Sequence, residues 1–258
     1  MTTTPASVIY PELPDPLTPG DLQRLFNPSF DERKWAPSVA RTPETQVVLL
    51  VHLKIFQTIG RFMPAADVPL AAVQYVARKL AIESKATLTC PIRTHYRHRQ
   101  AILSRLKVTA WGAEGRALAQ ATMCKTARAR TDPADIMNSA IDALIRHDFE
   151  LPPLATLRRL AGTWHSKTNT AQWAEVCGRL SSAQHAMLET LLVVDPKTQK
   201  SPFANLCATP GRPSRKNLNV LVDRYQWLQG LPNSATALQS IADSKISQWA
   251  NEAKRLNA

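Results

Sequence analysis

The sequence predicts an all-α protein built as two helical bundle subdomains, residues 1 to 150 and 151 to 258, and three observations carry that prediction. Apolar residues recur at three- and four-residue spacing along the chain, and almost nowhere do β-branched residues alternate with polar ones. Helix-start signals, a Ser, Thr or Asp before an apolar periodic run, are frequent. The 19 prolines outnumber the 8 glycines and fall mostly between the periodic runs, which suits short ordered connections. With 258 residues, 44% of them hydrophobic and 20% charged, the chain can bury a substantial core and has the balance of a globular protein.

The elements follow in order. Thr18-Pro19 with Asp21 opens a helix over 19 to 26, and Thr42-Pro43-Glu44 opens one over 43 to 59 that Gly60 closes. Asp67 with Pro69 precedes a helix over 69 to 82, a further helix covers 91 to 107, and Thr109 precedes 110 to 129. Asp132-Pro133 with Asp135 starts 133 to 147, and a long periodic run covers 154 to 179. Ser181 with Gln184 starts 182 to 193, Ser214 with Asn217 starts 215 to 229, and 236 to 256 ends the series. The runs over 154 to 179 and 236 to 256 are each long enough to be two helices. Glu150-Leu-Pro-Pro153 separates the two bundles, and Asp195 to Ser214, with Lys197, Lys200, Pro202, Pro210 and Pro213, reads as a polar loop.

Several function classes are excluded by what these residues lack. No stretch approaches the roughly 18 apolar residues that span a bilayer, and the first residues show no positive segment followed by an apolar one, so a cytoplasmic protein with no membrane partner is expected. Cys90, Cys124, Cys177 and Cys207 are widely separated, which disfavours disulfides and structural zinc. There is no Gly-rich phosphate loop, no G-x-S-x-G elbow and no H-E-x-x-H pair, and Asp132 and Asp135 are explained by capping. No catalytic residue, metal or cofactor is expected. His52 lies mid-helix among Val48, Leu49, Val51, Ile55 and Phe56 and reads as packing, and the six tryptophans fall mostly at core spacing.

The charge points elsewhere. Lys and Arg number 32 against 20 Asp and Glu, giving +12 at pH 7. From Arg93 to Arg130 nine basic residues face one acid, Glu114, so two thirds of the net charge occupies one segment. At about 100° per residue, Ile92, Tyr96, Leu103 and Leu106 share one face, expected to be buried, while Arg93, Arg97, Gln100 and Ser104 line the other. Arg and Gln are the side chains that read base edges, and His and Ser reach backbone oxygens. His95 and His98 sit among guanidiniums that repel a divalent cation, so phosphate contact is their expected role. Arg99 turns toward the apolar side. Arg105, Lys107, Arg116, Lys125, Arg128 and Arg130 are expected to hold phosphates. A second cluster, Gly211-Arg212-Pro213-Ser214-Arg215-Lys216-Asn217, runs into a helix whose expected core face is Leu218, Leu221, Val222 and Tyr225. The amide groups at that helix start, with Arg212, Ser214, Arg215, Lys216 and Asn217, would meet a second stretch of backbone. The alternative reading is a helical protein–protein assembly module whose charge serves solubility or an acidic partner.

A set of short strings, in order, carries a family resemblance: His52-Leu-Lys-Ile-Phe-Gln-Thr-Ile-Gly-Arg-Phe62, Val68-Pro69, Tyr96-Arg-His-Arg-Gln-Ala-Ile102 and Trp111-Gly-Ala-Glu-Gly-Arg-Ala117. Asp132-Pro-Ala-Asp-Ile136, Glu150-Leu-Pro152, Ser201-Pro-Phe203 and Lys245-Ile246 with Ala253 continue it. Residues 17 to 256 thus resemble the N-terminal region of the replicative, class II transposases of the Tn-three family. The resemblance implies helix-turn-helix-like elements that bind double-stranded DNA at the terminal inverted repeats of a mobile element. It also implies that the Asp-Asp-Glu catalytic domain lies outside these 258 residues, so end recognition without strand cleavage is expected, with self-association possible through parts beyond this chain.

Overall fold

The computed structural model describes residues 7–82, 91–208, 211–229 and 235–256; Cys90 and Pro210, which entered the expectations above, lie outside them. The first helices are α1 (Pro19–Phe26), α2 (Phe30–Val39), α3 (Pro43–Ile59), α4 (Leu70–Lys79), α5 (Ile92–Leu106) and α6 (Ala113–Ala129). They are followed by α7 (Pro133–Arg146), α8 (Leu154–Gly178), α9 (Ser182–Thr190), α10 (Pro202–Cys207), α11 (Arg215–Gln229) and α12 (Asp243–Leu256). Two short 3-10 turns cover Ala65–Asp67 and Ala235–Leu238. Among the described residues the only β pairing is one bridge between Thr109 and Phe149. The fold is all-α.

Local chemistry explains most boundaries. Thr18 with Asp21, Thr42 with Thr45 and Ser181 with Gln184 each form a reciprocal capping box, in which both side chains satisfy amides the helix cannot. Gly60 closes α3 at φ 70°, the left-handed region, and its amide donates to Phe56. Other starts differ from expectation. Thr109 does not cap; its backbone is taken by Asp148 and Glu150, and α6 begins only at Ala113. Pro69 precedes α4 without a side-chain cap. Two helices were not anticipated. α2 starts at Ser29, whose capping box with Glu32 is legible as S-x-x-E, and α10, capped by Ser201, interrupts the stretch read as a loop. The run over 154 to 179 is one helix, whereas the last run is a 3-10 turn followed by α12.

The chain forms two compact units that do not follow a single cut in the sequence. The first comprises Met1–Thr122 and Met137–Leu160, the second Met123–Ile136 and Ala161–Ala258. In the first, α3 is buried around nearly its whole circumference, from Val47 to Leu53 with Ile55, Phe56 and Ile59, and α1, α2 and α4 pack around it. Phe26, Ala36, Val73 and Val76 bring those helices onto it, and Ile102 and Leu103 of α5 join the same core. Glu150, Leu151 and Pro152 are buried here too: the amides of Glu150 and Leu151 donate to the carbonyls of Thr109 and Gly60. Burial raises the Glu32 pKa, but hydrogen bonds from Lys54, the Ser29 amide and Gln57 outweigh it and hold the carboxyl below its usual range.

The second unit has a smaller core of Val176, Ala237 and Ile241, with Leu180, Leu238, Ile246 and Trp249 against it. Trp173 stacks on Trp249 at 4.3 Å. Lys245 of α12 is fully buried, its Nζ donating to Asn169 Oδ1 at 2.6 Å and Gln172 Oε1 at 2.7 Å of α8. Burial lowers its pKa. In these units one packing expectation fails and another holds only in part. The face of α11 expected to be core, Leu218, Leu221, Val222 and Tyr225, is exposed, and the helix buries no residue. Of the tryptophans, Trp35 and Trp249 pack against the cores, whereas none is fully buried and Trp173 and Trp227 are exposed. Periodicity marks which residues share a face but not whether another element arrives to cover it.

Candidate nucleic-acid interface

Helix α5 carries more of the expected contacts than any other element. It holds four arginines and no acid. Its C-terminal half is anchored by buried Ile102 and Leu103, while Arg93, Arg97, Gln100 and Ser104 are exposed, so the basic side is turned to solvent as the spacing predicted. No described acid pairs with Arg93 or Arg97. Arg105 is exposed with its guanidinium over the Trp35 ring at 4.7 Å, which orients it while leaving its charge unpaired. Lys107 ends the helix at φ 57°, exposed, in the left-handed conformation that glycine favours.

Four members of the helix depart from expectation, wholly or in part. His98 is 1% exposed and neither ring nitrogen has a hydrogen-bond partner, so it is a core residue and not a phosphate contact. Burial, then the Arg97 charge and His95, pushes its pKa down to about 4. His95 is half-buried, edge-on to His52 at 4.8 Å. His52 is buried as expected, and burial with His95 and His98 nearby lowers it to about 4 as well. Ile92 and Tyr96, expected in the core, are instead 90% and 64% exposed. Both lie in the first two turns of the helix, ahead of its buried residues His98, Ile102 and Leu103. Arg99 lies at 4.8 Å over the Phe62 ring and pairs with buried Glu150, which also accepts the Trp111 amide at 3.1 Å. Glu150 thus removes one of the segment's nine positive charges, and no sequence proximity announced it.

The remaining basic residues are exposed, and two sit in cavities. Arg116, in the first unit, lines a cavity of about 450 Å³ with Trp111 and Gln120. Lys125, Arg128 and Arg130 are exposed in the second unit. Arg128 is 3.9 Å from Glu175, which also pairs with Arg179 at 2.5 Å, so part of its charge is spent internally. Lys167, not anticipated, lines a cavity of about 280 Å³ with Arg128 and Trp164, its Nζ 5.4 Å from the Trp164 ring; the i, i+3 spacing of the two was the available clue.

At the start of α11, Arg212, Arg215 and Lys216 are exposed. Ser214 accepts the Asn217 amide at 3.2 Å, and Asn217 Nδ2 donates to the Arg212 carbonyl at 2.6 Å. These two polar side chains shape the loop that presents the three cations. Among the described residues, no group of three His, Cys, Asp or Glu side chains is placed to hold a metal, and no helix is long and apolar enough to cross a membrane.

Residues 7–164 match the model of a family described as a domain of unknown function, DUF4158. No curated protein matches the chain. The family match covers more than half of the 258 residues and takes in α1 to α7 with the start of α8. The chain with its acid-free basic helix therefore belongs to the DUF4158 family.

Proposed function

We propose that this chain binds double-stranded DNA sequence-specifically, recognising the terminal inverted repeats of a mobile element as the N-terminal part of a Tn-three-like transposase, and that it has no strand-cleaving activity of its own. The single observation that supports this most is α5: its buried side is locked into the core of the first unit, and its opposite side presents Arg93, Arg97, Gln100 and Ser104 with no acid on the helix. A rigid helix with that surface suits a major groove, where Arg meets guanine and Gln meets adenine. Arg105, Lys107 and Arg116 supply phosphate contacts, and the cations of the second unit supply a second set. The resembled family adds the transposon end as target.

Neutralising six to ten phosphates lowers affinity roughly 10³- to 10⁵-fold between 50 and 200 mM salt. A gel shift on inverted-repeat DNA with scrambled competitor is the test. A specific, salt-sensitive band is expected; binding that ignores salt, or that the scrambled duplex competes equally, overturns the proposal. One observation favours the alternative, a helical protein–protein assembly module: the exposed Leu218, Leu221, Val222 and Tyr225 of α11. On that reading no specific band forms.

A further inference from the structure

Apart from His95, edge-on to buried His52, the N-terminal half of α5 presents its side chains outward. From Pro91 to Arg97 every side chain is exposed except those of Thr94 and His95, which are half-buried, and the anchoring residues His98, Ile102 and Leu103 all come later. At about 100° per residue, Tyr96, Gln100, Arg93, Ser104 and Arg97 fall within an arc of about 100°, with Ile92 about 40° outside it on the Tyr96 side. Tyr96 therefore sits at the margin of the strip proposed to read DNA, next to Gln100 and Arg93, and Ile92, one turn earlier and 90% exposed, borders it.

Resting on the DNA-binding reading above, we propose that Ile92 and Tyr96 are specificity-determining residues that recognise thymine through its C5-methyl group in the major groove. The strip is cationic and acid-free, so its complement is a polyanion and not an apolar protein groove. In the major groove the apolar feature that distinguishes one base from another is the thymine methyl. Ile92 carries no hydrogen-bonding group, so its means of reading a base is contact with that methyl. Tyr96, one turn further on, offers a ring face to a neighbouring methyl. One turn advances about 5.4 Å, enough to place the two against adjacent or next-adjacent base pairs. Arg93 and Arg97, each one residue further on, flank them and set the depth of the helix through guanine or phosphate contacts.

The test begins with selection of a random-core duplex library by the full chain. Each thymine of the enriched sequence is then replaced by deoxyuridine, which removes only the methyl group. At one or two positions the replacement should weaken binding about fourfold, the worth of one buried methyl. Ile92→Ala and Tyr96→Ala should bind the thymine and deoxyuridine duplexes equally, whereas Leu70→Ala, an exposed leucine on α4, should keep the difference. Neither Ile92 nor Tyr96 is buried, so the melting temperature should stay within a degree or two of wild type. If the library enriches but deoxyuridine has no effect, or the effect survives both alanine substitutions, this inference fails and the proposed function stands. If no sequence enriches, both fail.

Discussion

Two buried imidazoles lie close to the proposed binding strip, His98 with neither ring nitrogen hydrogen-bonded and His52 with its Nε2 unpartnered. His52 and His98 are each 1% exposed, and both are held at about 4 against an ordinary 6.5. Both are neutral in the folded chain above pH 4, while the unfolded chain takes up their protons near pH 6.5. Between these values the unfolded state binds more protons, so the stability is fully present above pH 6.5 and is lost as pH falls toward 4. Each shift corresponds to about 3 kcal/mol, less for the pair because their charged forms repel. Urea midpoints should decline from pH 7 to 4.5, and His98→Leu should flatten the decline; a wild-type midpoint constant over that window contradicts the argument. Carboxylates whose pKa is lowered, such as Glu32 and Asp21, act below this window. Lys107 gives a second expectation. Its φ of 57° strains a side-chain-bearing residue, so Lys107→Gly should raise stability by roughly 0.5–1 kcal/mol in thermal melts.

Among the helices, α2 shows how a capping signal became tertiary structure. Ser29→Ala removes one cap acceptor and should cost about 1 kcal/mol. Glu32→Ala should cost about 3 kcal/mol or more, because it also leaves Lys54, 12% exposed, without its counter-charge. Equal losses in chemical denaturation would mean the Glu32–Lys54 pair adds nothing. Helix α5 carries a functional counterpart. If Arg97 or Gln100 reads a base, its replacement by alanine should relax discrimination by about 1–3 kcal/mol, measured as the affinity ratio for selected over scrambled duplex. The capping boxes at Thr18, Thr42 and Ser181, and the basic side and core anchors Leu103 and Leu106 of α5, were legible in spacing, because each depends on residues within a turn or two of one another. The exposure of Tyr96 was not, because the wheel assigns it to the same side as Leu103, and among the described residues no element covers the first turns as α3 and α4 cover the later ones.

Across the molecule, the +12 charge is distributed over two units, and each can be tested by itself. Replacing Arg212, Arg215 and Lys216 together by alanine should lower the salt slope of binding by roughly 3, one per phosphate contact, while leaving discrimination unchanged. Arg128→Ala should lower the slope by less than Arg130→Ala, because Glu175 already holds Arg128. An unchanged slope in the triple variant would place the α11 cluster off the DNA.

The sequence by itself determined the all-α class, most helix limits, the capping boxes and the concentration of cations along α5, since these follow from backbone hydrogen bonds and side chains a few residues apart. Only tertiary structure decided that Glu150 neutralises Arg99, 51 positions away, that Glu175 draws on Arg128, that His98 is buried, and that the apolar residues of α11 stay uncovered. It also decided that residues 123–136 group with the chain after 161. Burial and charge pairing are set by which distant segment arrives, and local periodicity carries no record of that.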